Sequence, residues 1–169
     1  REGLPYHRQV LAELDSAGYG TAEQVPNVLT FLTGSLWELG EFATADSELT
    51  PFVHEQELAN GTGRVSTVLA LMYGETKLRL GQLDTAELWL SRAMRDTTQG
   101  AGMIPQWLPG ALTELRLAQG RVAEAQRESA RLPTGSRGQR VTAALLRARV
   151  RRAEGDAVAA SKTLEHELA

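Results

Sequence analysis

The chain has no cysteine. Disulfides and thiolate metal sites are excluded, while the redox compartment stays open, since an absence suits either one. Histidine is nearly as scarce. His7, His54 and His166 lie far apart, and none has a second ligand at helical metal spacing. His54-Glu55 lacks the second His of a His-Glu-x-x-His motif. No metal and no cofactor is therefore expected. No apolar run approaches the roughly 20 residues of a membrane span. There is no Gly-x-Ser-x-Gly elbow and no Gly-x-x-x-x-Gly-Lys or full Gly-x-Gly-x-x-Gly loop. The carboxylates are scattered and read as solvated helix surface. Nothing assembles a catalytic set, so the expectation is that the protein is not an enzyme. Asn60-Gly61-Thr62 fits a glycosylation sequon but reads better as a turn. The chain begins at Arg1 without a signal-peptide pattern, which reads as a fragment, a processed form or the ordered part of something longer.

What is present is an ordinary globular composition, 42% apolar and 23% charged over 169 residues, enough to bury a core. Laid over it is internal repetition. Leu78-Arg79-Leu80-Gly81-Gln82-Leu83-Asp84-Thr85-Ala86 reads as a helix end, a tight turn and a second helix. Gly81 can take positive φ at little cost, as a helix C-cap asks. Leu83, Ala86 and Leu90 then share one helical face. The pattern Gly-x-apolar-x-x-Ala recurs at Gly40–Ala45, Gly120–Ala125 and Gly155–Ala160, with glycines 41, 39 and 35 residues apart. A second set of glycines keeps step: the segments starting at Gly18, Gly61, Gly100 and Gly135 are spaced by 43, 39 and 35. No predicted strand precedes them, so they read as inter-repeat turns rather than phosphate loops. Four units follow, at about 18–60, 61–99, 100–134 and 135–169. A leading helix at 5–17 carries an apolar stripe of Val10, Leu11 and Leu14 and serves as a cap or half-repeat.

Within the units, Thr21-Ala22-Glu23-Gln24 is a capping box. The second helix of unit 1 should run from Phe42 to about Asn60, with Pro51 a candidate kink or break. Unit 2 has helices near 64–80 and 83–97. The first helix of unit 3 should begin only at Pro105 or Pro109, and its second should end before Pro133. Unit 4 pairs an Arg-rich helix, about 138–153, with a last helix from about 156.

Gly-x-apolar-x-x-Ala between two amphipathic helices resembles the middle of the tetratricopeptide repeat, over about residues 21–169. The small residue that this family prefers seven before the turn Gly is matched by Thr33, Gly74, Thr113 and Ala148. The apolar residue before it is matched by Leu32, Tyr73 and Leu112, with Arg147 departing, and the repeat-ending Pro is absent. The chain is identified as a divergent, bacterial-type member. The resemblance implies an all-α, right-handed solenoid of antiparallel helix pairs forming one domain of about four repeats plus the leading helix. It also places groove-lining residues three, six, ten and thirteen before each turn Gly. Unit 1 supplies Trp37, Gly34, Thr30 and Asn27. Unit 2 supplies Leu78, Glu75, Leu71 and Val68. Unit 3 supplies Leu117, Glu114, Gly110 and Trp107, and unit 4 supplies Arg152, Arg149, Leu145 and Thr142. Glu38 and Arg79 adjoin the groove. Inter-helix core is the competing reading for Trp37 and Trp107, whereas Trp89 reads as packing.

Charge is unevenly placed. Residues 1–115 carry 7 Lys/Arg against 15 Asp/Glu, and residues 116–152 carry 10 Arg against 2 Glu. Arg140, Arg147 and Arg151 share a helix face; Arg149 and Arg152 occupy a neighbouring one, beside Arg137. Arginine suits planar anionic acceptors. The alternatives are a solvated basic face, pairing with Glu124, Glu128 and the acidic final helix, and an acidic protein partner. Nucleic acid fits poorly, because no aromatic is interleaved to stack on bases. A peripheral contact with an anionic membrane surface stays open. The expected function is a protein-interaction scaffold or accessory subunit, binding a peptide, helix or folded subunit through the groove and the Arg-rich end. The alternative is the sensing region of a larger bacterial transcriptional regulator or signalling protein.

Overall fold

The computed structural model describes residues 8–10, 12–13, 24–59, 66–97 and 106–168. The fold is all-α, with no strand among the described residues. Eight helices are described in chain order after residue 20: α1 Gln24–Glu38, α2 Phe42–Ala59, α3 Thr67–Arg79, α4 Leu83–Thr97, α5 Leu108–Ala118, α6 Val122–Ala130, α7 Arg137–Ala153 and α8 Ala157–Leu168. Residues 8–10 and 12–13, within the expected leading helix, are helical too. Arg8 Nε donates to Glu48 Oε1 on α2 at 2.8 Å. The rest of that helix, the capping residues Thr21–Glu23, the glycine turns at 18, 61 and 100, and the sequon at 60–62 lie outside the described residues. No described helix is long and apolar enough to cross a membrane.

The four turns expected from the glycine pattern share one geometry. Gly40, Gly81, Gly120 and Gly155 have φ of 75°, 75°, 71° and 88°. The N–H after each glycine reaches back to a carbonyl one turn and a half earlier: Glu41 to Leu36, Gln82 to Lys77, Arg121 to Arg116 and Asp156 to Arg151, all at 2.8–3.0 Å. The glycine N–H itself donates to Trp37, Leu78, Leu117 or Arg152 at 3.0–3.1 Å. This is the Schellman pair, which satisfies carbonyls that a helix end otherwise leaves open. The repeated alanine then donates the first i→i−4 bond of the next helix, as in Ala45 to Glu41 and Ala86 to Gln82. Ala45, Ala86 and Ala125 are fully buried, and Ala160 is half-buried.

The chain forms two compact units, Arg1–Asp96 and Thr97–Ala169. In the first, Leu29, Leu32 and Leu36 of α1 pack with Ala45, Leu49 and Val53 of α2 and with the centrally placed α3. The small residue of the repeat is buried in every copy, at Thr33, Gly74, Thr113 and Ala148. At Gly74 the reason is direct: a Cβ there would lie 2.9 Å from both Cγ and Cδ2 of Leu90. In the second unit, Leu108, Ala111, Leu112 and Leu115 of α5 are buried, as are Ala143, Ala144 and Leu146 of α7. Leu132 forms a core cluster with Ala143 and Leu146.

Pro51 does not break α2, which runs through it to Ala59. Pro51 is exposed, so the carbonyl deprived of a donor can meet water. Helix α5 begins at Leu108, with Pro109 in its first turn, where a missing N–H costs nothing. Helix α7 begins at Arg137 because Ser136 forms a full capping box: its Oγ accepts from Gln139 N at 3.2 Å, and Gln139 Oε1 accepts from Ser136 N at 2.9 Å.

Candidate functional site

In the first unit, the expected groove residues are largely engaged within the protein. Trp37 is half-buried, and its Nε1 donates to Thr76 Oγ1 on α3 at 3.1 Å. Thr76 is fully buried and donates in turn to Met72 O at 2.8 Å. Thr30 Oγ1 donates to Met72 Sδ at 3.3 Å. These contacts run in the same order along α1 and α3. Arg79 stacks its guanidinium over the rings of Trp37 and Phe42, at 5.0 and 5.7 Å, a cation–π arrangement. Glu38 is exposed and Glu75 half-buried. The side chain of Asn27 lies outside the described residues. Leu71 is 1% exposed and belongs to the core, not to a groove lining, because α3 is covered on nearly all sides.

Behind this face lies a network that sequence reading missed. Lys77 Nζ sits 2.6 and 2.8 Å from the two carboxylate oxygens of Asp46 on α2 and 4.6 Å above the Tyr73 ring. Tyr73 meets Trp89 edge-on at 5.2 Å. Arg92 covers Trp89 at 4.9 Å and pairs with Glu57 at 3.0 Å. Burial pushes the Lys77 ammonium down, but the hydrogen bonds to Asp46 and Tyr73 outweigh it and hold the group above the ordinary lysine value. Trp89 is thus packing, as expected, at 8% exposure.

In the second unit, α5 and α7 lie side by side with their contacts in the same order. Gln139 Nε2 donates to Gln106 Oε1 at 2.8 Å near their starts. Arg149 donates to Glu114 Oε1 at 2.7 Å further along. Between these, a Cβ on Gly110 would come within 3.6 Å of Leu146 Cδ1. Trp107, just before α5, and Gly110 and Glu114 on it follow one another at helical spacing. Val141, Leu145, Arg149 and Arg152 recur likewise on α7, and the Glu114–Arg149 bond brings the two stripes together. Trp107 and Leu145 are each 50% exposed and Val141 37%, large apolar surface left in solvent while the opposite sides of both helices are buried.

The other arginines separate by role. Arg147 is half-buried, and its Nε donates to Ser129 O, in the last turn of α6, at 3.3 Å. Arg151 pairs with Glu154 at 3.1 Å. Arg137, Arg140 and Arg152 are exposed, with no ion-pair partner among the described residues. Glu124 is held by Arg121 and Arg116 at 2.6 and 3.4 Å, and Glu128 by Arg131 at 2.9 Å. The Arg121 hydrogen bonds lower the Glu124 carboxyl below its ordinary range. His54 and His166 are exposed, and no cluster of potential metal ligands occurs among the described residues.

Compared with known proteins, the chain matches no protein family, no curated protein and no solved structure.

Proposed function

We propose that this chain is a tetratricopeptide-like solenoid of antiparallel helix pairs, and that it acts as a non-catalytic scaffold or accessory subunit presenting a protein-binding face. The observation that carries this reading is the exposed surface of Trp107, Val141 and Leu145 beside the Glu114–Arg149 pair. Tryptophan and arginine supply much of the energy in protein interfaces. Here they project from helices fixed by packing on their other side, so little ordering entropy is lost on binding. The repeat reading is supported by four turns with the same glycine φ region and hydrogen-bond pattern and by first helices, α1 with α3 and α5 with α7, that meet in matching order. The exposed residues fall at the positions that the resemblance assigns to the groove, except Val141, which adjoins Thr142.

Gentle affinity capture of the full-length protein, from soluble and membrane fractions separately, tests the reading. A stoichiometric protein partner is expected with the wild type and should be lost with Trp107→Ala and Leu145→Asp, whose unfolding curves should match the wild type. A partner set indifferent to both substitutions, or no partner in either fraction, would overturn it.

A further inference from the structure

We infer that the face formed by α5 and α7 takes an acidic amphipathic helix of a protein partner, with apolar side chains over Trp107, Val141 and Leu145 and a carboxylate over Arg149 and Arg152. The inference rests on the binding-face reading above and adds the chemistry of the occupant.

The face is apolar along its middle and cationic at its ends. Trp107 precedes α5, and Val141 and Leu145 sit one turn apart on α7. Arg137 lies one turn before Val141, and Arg149 and Arg152 lie one and two turns beyond Leu145. Arg152 is seven residues beyond Leu145, about 10 Å at 1.5 Å per residue, and has no partner among the described residues. Arg149 is held by Glu114 through one guanidinium nitrogen, Nη1. The rest of its five-donor fork stays available to an incoming carboxylate, and the Glu114 bond aims it. The single acid on the two stripes is therefore already paired, and the uncompensated charge is positive. An acidic occupant is favoured and a basic one repelled.

The spacing suits a helix. Val141 and Leu145 are separated by about 6 Å along α7, the interval at which i and i+4 side chains of a partner helix recur. A carboxylate seven residues beyond the second anchor then reaches Arg152. A single-stranded nucleic acid is the poorer occupant. Of the three apolar residues only Trp107 offers a ring for base stacking, where a strand needs several in succession, and Glu114 would face its phosphates.

Three fluorescein-labelled synthetic peptides test this. All carry leucines four residues apart, and the residue seven beyond the second leucine is Glu, Gln or Lys. Fluorescence anisotropy with the full chain should give tightest binding to the Glu peptide, about tenfold over Gln, weakening as salt rises. The double substitution Arg149→Glu with Arg152→Glu should invert the order, so that the Lys peptide binds best. Leu145→Asp should abolish binding of all three, with the helical circular dichroism unchanged. Equal binding of the Glu and Gln peptides would overturn the acidic selectivity while leaving an apolar binding face. No binding of the Glu peptide up to about 1 mM would overturn the inference too. The broader reading would then be decided by the capture experiment alone. Preference for a short single-stranded oligonucleotide, lost with the double substitution, would overturn it in favour of a nucleic acid.

Discussion

Two helical glycines with opposite surroundings test the packing at the scale of single residues. A Cβ at Gly74 would press into Leu90, 2.9 Å from its side chain and 3.1 Å from its backbone nitrogen. Gly74→Ala should destabilise by about 1–3 kcal/mol, as overpacking does. Gly34 has nothing within 4 Å of a built Cβ, so Gly34→Ala should stabilise by about 0.4–1 kcal/mol through the unfolded chain. Urea unfolding measures both. The buried threonines form a similar pair. Thr33 Oγ1 has no hydrogen-bond partner among the described residues, and Thr33→Val should be neutral or stabilising. Thr76→Val should cost about 1–3 kcal/mol, because Trp37 Nε1 loses its acceptor. Lys77 gives a pH test. Its folded value lies above the ordinary one, so its contribution is complete at neutral pH, below the unfolded value, and is lost as pH rises through the folded one. Between about pH 9 and pH 11.5, the wild type should lose more stability than Lys77→Met. Equal losses would show that the Asp46 pair contributes nothing.

At the scale of elements, the turns were the most legible feature. Positive φ has a chemical signature, glycine, and four glycines at regular spacing with an alanine five residues on left little choice. The same geometry at all four predicts a common response. Gly40→Ala, Gly81→Ala, Gly120→Ala and Gly155→Ala should each cost about 1–2 kcal/mol, the penalty for an L side chain in the left-handed region, read from denaturant midpoints. Element starts were legible to within one residue at α5 and α7. The difference at α7 arises because Ser136-Arg137-Gly138-Gln139, the Ser-x-x-Gln signature of a capping box, overlaps the glycines of a turn pattern. Pro51 looked like a break because its cost depends on whether a carbonyl reaches water, which is a property of position. Leu71 was placed in a groove by register, but α3 is enclosed by neighbours that a local window does not contain.

For the molecule as a whole, composition and repetition sufficed for the all-α class, whereas the candidate site was legible only in part. Trp107, Glu114, Leu145, Arg149 and Arg152 were reachable through helical register. What distinguishes Trp107 from Trp37 was not: both fall on the groove register, thirteen residues before Gly120 and three before Gly40, and only tertiary contact assigns the Trp37 N–H to Thr76. Likewise, Asp46 and Lys77 are 31 residues apart, and nothing local marks either as buried. The central claim is that the α5–α7 face meets another protein. A photo-activated crosslinking amino acid placed singly at Trp107, Leu145 or Arg127 in the full-length protein, and irradiated in the host cell, tests it most directly. Arg127 is an exposed residue of α6 and serves as the comparison. The expected result is one discrete protein adduct shared by positions 107 and 145 and absent at 127. Adducts indistinguishable among the three positions, or none at 107 and 145, would contradict it.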